Sequence, residues 1–194
     1  MQLTHISDLA HLTVTGRGVL IDWYAWKLAQ GSIKTSLPDT FSCHAIPLQE
    51  ILAAAEAQHL IFHRGDILFI RTGWLHAYKS LTLEQQAALP YRAARTSIGL
   101  EASEAALRWH WDQAFAAVAS DTVAYEAWPS PRPWGITMHE TFLSGWGMPI
   151  GESLDLEVLA ERCKERGRWS FFFVSVPLNI SGGVASPTNA VAII

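Results

Sequence analysis

The residues best placed to do chemistry lie in one stretch, His139–Glu152, which reads H-E-T-F-L-S-G-W-G-M-P-I-G-E. It carries an imidazole near one end and a carboxylate at the other, the ligand types that zinc and manganese take from hydrolase sites. The two side chains need not be close in sequence, but both must point into one cavity. Gly145, Gly147 and Gly151 lie between them and would let the chain turn back on itself. His139 and Glu152 are therefore the candidate metal ligands. A lone histidine and a distant glutamate are more often structural, and that reading stands beside the first.

The elements that must position them follow from the hydrophobic pattern. Glycines at 16 and 18 precede Val19-Leu20-Ile21-Asp22-Trp23, which predicts a loop feeding a buried strand. Asp22 at its end either carries function or caps the following segment, Trp23–Gln30. Pro47 opens a helix running to about His59, and Ile67–Arg71 is a second buried strand ending at Thr72-Gly73-Trp74. Arg71 is placed either to anchor a substrate carboxylate or to pair with Asp66. Residues 75–100 form a partly helical excursion, with Thr82 and Gln85 spaced as a capping box. Ser103 caps the next helix, whose Leu107, Trp111 and Phe115 recur at four-residue spacing and predict one inward face.

Ala116–Ala119 is a short strand, and the proline-rich segment Trp128–Trp134 is a rigid extended loop. A helix from Asp155 to near Gly167 turns Leu156, Leu159 and Cys163 inward. Trp169–Val176 and Ala190–Ile194 are the last strands. Apolar strands alternating with helices predict an α/β layer arrangement, within the one domain that 194 residues suit.

Composition narrows the partners. The net charge is −4 and no basic run occurs, which argues against nucleic acid and anionic membranes. No uncharged apolar stretch is long enough to span a bilayer. Two widely separated cysteines, Cys43 and Cys163, suit a reducing compartment, so the cytoplasm is the expected location. Hydrophobic residues make up 49% of the chain and nine are tryptophans. Those tryptophans serve a covered surface, a ligand pocket or simply the core; Trp74 and Trp146 are the candidate pocket walls. His44 either reaches a pocket or bonds to nearby backbone, while His59, His63, His76 and His110 read as surface residues.

The ordered set G-R-G-V-L-I-D-W (16–23), H-A-I-P-L (44–48), R-G-D-I-L-F-I-R-T-G-W (64–74), Y-E-A-W-P (125–129), the 139–152 stretch and P-L-N-I-S-G-G-V-A-S-P (177–187) resembles the cyclase family. That group includes bacterial kynurenine formamidase and isatin hydrolase, and the likeness runs from about Gly16 onward. The resemblance implies a swivelling β/β/α fold and a divalent metal site, of zinc or manganese, that activates water against an amide or lactam carbonyl. It also implies a dimer or larger homo-oligomer. It assigns His139 and Glu152 as the family's late ligands, and places Asp121 as an acidic residue near the substrate pocket.

The family signature H-x-G-T-H-x-D-x-x-x-H has no clear counterpart, since only fifteen residues precede Gly16. Those residues contain His5, Asp8 and His11, but at the wrong spacing. The chain is thus expected to correspond to the C-terminal portion of a family member. Three functions remain open: a metal-dependent hydrolase or cyclase acting on a small, aromatic amide or cyclic substrate, an incomplete paralogue that keeps the fold and the oligomer surface, and a metal-free small-molecule binder using a tryptophan-rich pocket. The general base is not identifiable from these residues.

Overall fold

A computed structural model describes residues 9–11, 13–31 and 37–194. A mixed sheet of six strands runs through it, in the order β6-β5-β3-β1-β7-β8. β1 (Val14–Ile21), β3 (Ile67–Ile70), β5 (Ala117–Ser120) and β6 (Ile150–Gly151) are parallel neighbours. β7 (Ser170–Ser175) runs antiparallel to β1, and β8 (Ala190–Ile193) antiparallel to β7. A separate parallel pair joins β2 (Ala45–Ile46) to β4 (Gly99–Leu100).

The central strands are buried on both faces, which is why they read as continuous apolar runs. Val19, Ile21, Leu68, Ile70 and Val118 point into one core, packed under α1 (Trp23–Ala29), α2 (Leu48–Ala57) and α5 (Glu104–Gln113). Leu20, Ile67, Phe69, Ala117 and Ala119 point the other way, onto α6 (Glu157–Arg166) through Ala160 and Cys163. Gly18 is required in β1, because a Cβ there would lie 2.2 Å from the Phe171 ring on β7. The α/β class expected from the pattern is the one observed.

Arg71 ties these layers together at the carboxyl ends of β1 and β3. Its Nη1 donates to Asp22 Oδ1 at 2.9 Å, and its Nε and Nη2 donate to the two carboxylate oxygens of Glu157 at 2.7 and 2.9 Å. Asp22 also caps α1 by accepting from the Ala25 amide. The anticipated Arg71–Asp66 pair does not form: Asp66 is taken by Arg17 at 2.7 Å. The bidentate geometry of Glu157 and the capping carboxylate of Asp22 neutralise the buried guanidinium and commit it to the fold.

α3 (Trp74–Lys79) and α4 (Leu83–Ala88) fill the excursion, and the Thr82–Gln85 capping box is present. Three expectations need correcting. The α5 helix ends at Gln113 and Ala114 takes a left-handed φ of 52°, so Phe115 is not part of the helical face. Ala106 and His110 point inward, while Trp111 is 63% exposed. His110, read as a surface residue, is buried: its Nδ1 donates to the Ala106 carbonyl at 2.6 Å and its Nε2 accepts from the Tyr125 hydroxyl at 2.8 Å. That pairing fixes the neutral tautomer. α6 begins at Glu157 rather than Asp155. His5 and Asp8 lie outside the described residues; His11 is exposed, 3.5 Å from Asn179 Nδ2.

Burial pushes the His110 imidazole down to about 4 against the favourable Ala106 carbonyl bond. A histidine depressed in the folded state takes up its proton only on unfolding, so stability is complete above pH 6.5 and falls as the pH drops toward 4. Between pH 7 and 5 this costs about 2 kcal/mol. Urea unfolding of the native chain and of His110→Gln at both pH values should show that much less pH dependence in the variant; equal dependence would contradict a buried neutral His110.

Candidate metal centre

The local sequence places His139 in the first turn of a helix. Thr137 and Glu140 form a capping box: the Thr137 amide donates to Glu140 Oε2 at 2.7 Å, and the Glu140 amide donates to Thr137 Oγ1 at 3.1 Å. The helix opens at Met138 and widens into a π-helix over Glu140–Trp146, a form often found at functional sites. Phe142 anchors its inner face in the core. Gly147 then takes φ 68°, and the Met148 amide donates to the Phe142 carbonyl at 2.8 Å, which turns the chain back.

The returning segment becomes edge strand β6. Gly151 pairs with Ala119 on β5, where a Cβ would approach the Ala119 Cβ at 3.2 Å. Glu152 follows directly. It is fixed in position by the next residue, because the Ser153 amide donates to the Thr122 carbonyl at 2.9 Å. The strand end and the helix start meet there, with His139 Nε2 2.6 Å from Glu152 Oε1.

The other ring nitrogen has a partner too. His139 Nδ1 lies 2.7 Å from Oε2 of Glu126, a residue with no solvent exposure. Oε1 of Glu126 accepts from the Ser130 hydroxyl at 2.9 Å and from the His139 amide at 3.3 Å. A carboxylate oxygen at each ring nitrogen favours the protonated imidazolium, in which both nitrogens donate. Burial opposes that charge, but the Glu126 and Glu152 hydrogen bonds outweigh it and hold the ring up at about 10.

His139 and Glu152 line an open cleft of about 590 Å³ with Leu143, Ile150, Ser153 and the 184–188 segment. Their exposures, 27% and 34%, leave both reachable from it. An apolar trench bordered by Val14, Leu154 and Phe173 adjoins, sharing Leu9, Pro149 and Thr188.

The donors fit a divalent cation in part. An imidazole whose far nitrogen is fixed by a buried carboxylate, beside a second carboxylate, is the arrangement that orients a histidine toward a metal. Among the described residues, however, no group of three or more His, Cys, Asp or Glu side chains is disposed to hold an ion, and a catalytic zinc takes three protein ligands.

The other anticipated site residues do not line this cleft. Asp121 is buried and accepts from the amides of Thr72 and Gly73 at 2.7 and 2.9 Å and from Thr72 Oγ1 at 2.8 Å. Burial raises its pKa, partly offset by those bonds. It is a brace between β5 and the turn after β3. Trp146 packs against Phe142 and Trp111. Trp74 lines a separate cleft with Trp128. His44 is a loop histidine, with its Nε2 buried and unpaired among the described residues. Glu126 is the residue that reading the sequence missed. Its signal is weak, one acid within Y-E-A-W-P.

The family model described as Putative cyclase matches residues 3–127. No curated protein matches the chain. Among solved structures, a novel cyclase superposes with a TM-score of 0.78 at 30% identity, covering 98% of this chain and 57% of its own. Isatin hydrolase A from Ralstonia solanacearum gives 0.69 at 17% identity, covering 100% of this chain and 65% of its own. Isatin hydrolase A from Labrenzia aggregata gives 0.68 at 18% identity, with 100% and 66% covered. At such identities the two hydrolases share the fold. The chain spans 57% to 66% of the length of these relatives. No described helix is long and apolar enough to cross a membrane.

In metal-free protein the His139 ring should remain protonated from pH 6 to 8, since its pKa is held at about 10. Its ring-proton NMR shifts should stay flat over that range. A titration midpoint near the free-histidine value of about 6.5 would show that the two carboxylates do not grip it.

Proposed function

This chain belongs to the cyclase family, and from that premise we propose that it contributes two metal ligands, His139 and Glu152, to a hydrolase or cyclase acting on a small amide, lactam or other cyclic, aromatic substrate. The observation that carries the reading is the convergence of His139 Nε2 and Glu152 Oε1 at 2.6 Å in an open cleft, with Nδ1 pinned by buried Glu126. The family membership gives that pair its context.

In this reading Glu126 holds the ring so that Nε2 faces the cleft, and its charge makes the imidazole a stronger donor. A proton shared between His139 and Glu152 leaves when a cation arrives. A bound zinc or manganese ion would supply Lewis acidity toward a carbonyl and a water molecule. The remaining ligands and the general base come from outside the described residues or from a second copy of the chain. The cleft is roomy enough for a small ring system. We place the protein in the cytoplasm, in keeping with free Cys43 and Cys163, and take a homodimer or larger assembly from the family resemblance.

The second reading, an incomplete paralogue without turnover, is favoured by the presence of only two converging donors among the described residues. Titration with zinc or manganese, followed by assays on N-formylkynurenine and related amides, separates the two. The proposal expects metal uptake that His139→Ala and Glu152→Gln abolish, and affinity about 10–100-fold weaker in Glu126→Gln. It also expects turnover that is lost with His139→Ala. Uptake without turnover supports the paralogue; no uptake at all would sink the metal assignment.

A further inference from the structure

A second cleft, of about 340 Å³, is lined in part by Val123. Its lining shares no residue with the His139 cleft. Trp74 and Tyr78 on α3 stack with ring centroids 5.4 Å apart and planes 9° apart. Trp128 and Val123 face the same space and are both partly exposed. Phe41 supports Trp74 from outside, edge-on at 5.6 Å. An apolar wall of aromatic faces of this size suits one flat ring system.

The charged part of the cleft is all of one sign. Arg92 and Arg95 line it, and no acidic residue does. Arg92 is held in place by Phe41 and Thr96 carbonyls, with its guanidinium 5.5 Å from the Phe41 ring. Carbonyls position the guanidinium but do not neutralise it. Among the described residues neither arginine has a carboxylate partner. This occurs in a chain whose net charge is −4, so the positive character is local to the cleft. Trp74 adds a further donor: its indole Nε1 is buried and has no acceptor among the described residues. A buried donor without a partner is costly and asks for an acceptor.

We propose that the cleft of Trp74, Tyr78 and Trp128 binds a small planar aromatic carboxylate, its ring against the indoles and its anion on Arg92 and Arg95. The flat walls select the ring, and the guanidinium pair selects the charge. The site stands on its own residues and does not depend on metal or on hydrolysis at His139.

Calorimetry with the full chain tests this, using indole-3-carboxylate, its neutral carboxamide and cyclohexanecarboxylate as probes. The expected result is saturable one-to-one binding of the aromatic anion, with the carboxamide and the non-aromatic acid each weaker by roughly tenfold or more. Arg95→Gln, an exposed substitution that should leave the fold intact, is expected to weaken binding by a similar factor, as is Trp128→Ala. Binding should be the same with EDTA present as without it, so failure of the metal reading would leave this site standing. Absence of binding, equal affinity for acid and carboxamide, an unaffected Arg95→Gln, or loss of binding in EDTA would each overturn it.

Discussion

A carboxylate with no solvent contact must be fully paired, and Glu126 is the constraint from which the candidate centre follows. Its partners are the His139 ring, the His139 amide and the Ser130 hydroxyl. Removing any of them leaves an expensive buried charge, so the helix start at Thr137 and the loop at 129–131 are fixed relative to the 125–128 segment. The Leu100 amide donates to the Tyr125 carbonyl and the Ala127 amide donates to the Leu100 carbonyl, which secures that segment to the small sheet. The imidazole is thus held at Nδ1 by a buried carboxylate, while Nε2 faces Glu152 at the cleft.

The surrounding fold converts that local constraint into a site. The π-helix and the left-handed Gly147 return the chain to β6, and Gly151 lets β6 sit close against β5. Glu152 arrives at the cleft because the strand ends there. The two ion clusters differ in kind. Arg71 with Asp22 and Glu157 is mostly buried and serves to join α1, β3 and α6. The His139 group presents an imidazole and a carboxylate to an open cleft.

Much of this was legible in the sequence where burial on both faces produces unbroken apolar runs, as in the second half of β1 and in β3 and β5. The two-residue strands β2, β4 and β6 leave no such trace, since their pairing is decided by distant partners. Caps were readable at Asp22, Thr82 and Ser103 because the chemistry is local. His110 was not, because its burial depends on Tyr125, fifteen residues away. The face of α5 was misassigned for a related reason: the helix stops before Phe115, so the four-residue spacing outran the element. At the site, the turn between His139 and Glu152 could be anticipated from its glycines, whereas Glu126 could not, as nothing local marks an acid as buried.

The central claim is that His139 Nε2 and Glu152 converge on one cation. Anomalous scattering from crystals grown with zinc, collected on both sides of the zinc edge, tests it most directly. The account predicts a peak about 2.0–2.2 Å from both His139 Nε2 and a Glu152 carboxylate oxygen. A peak on other residues, or an intact His139–Glu152 hydrogen bond at saturating zinc, would contradict it.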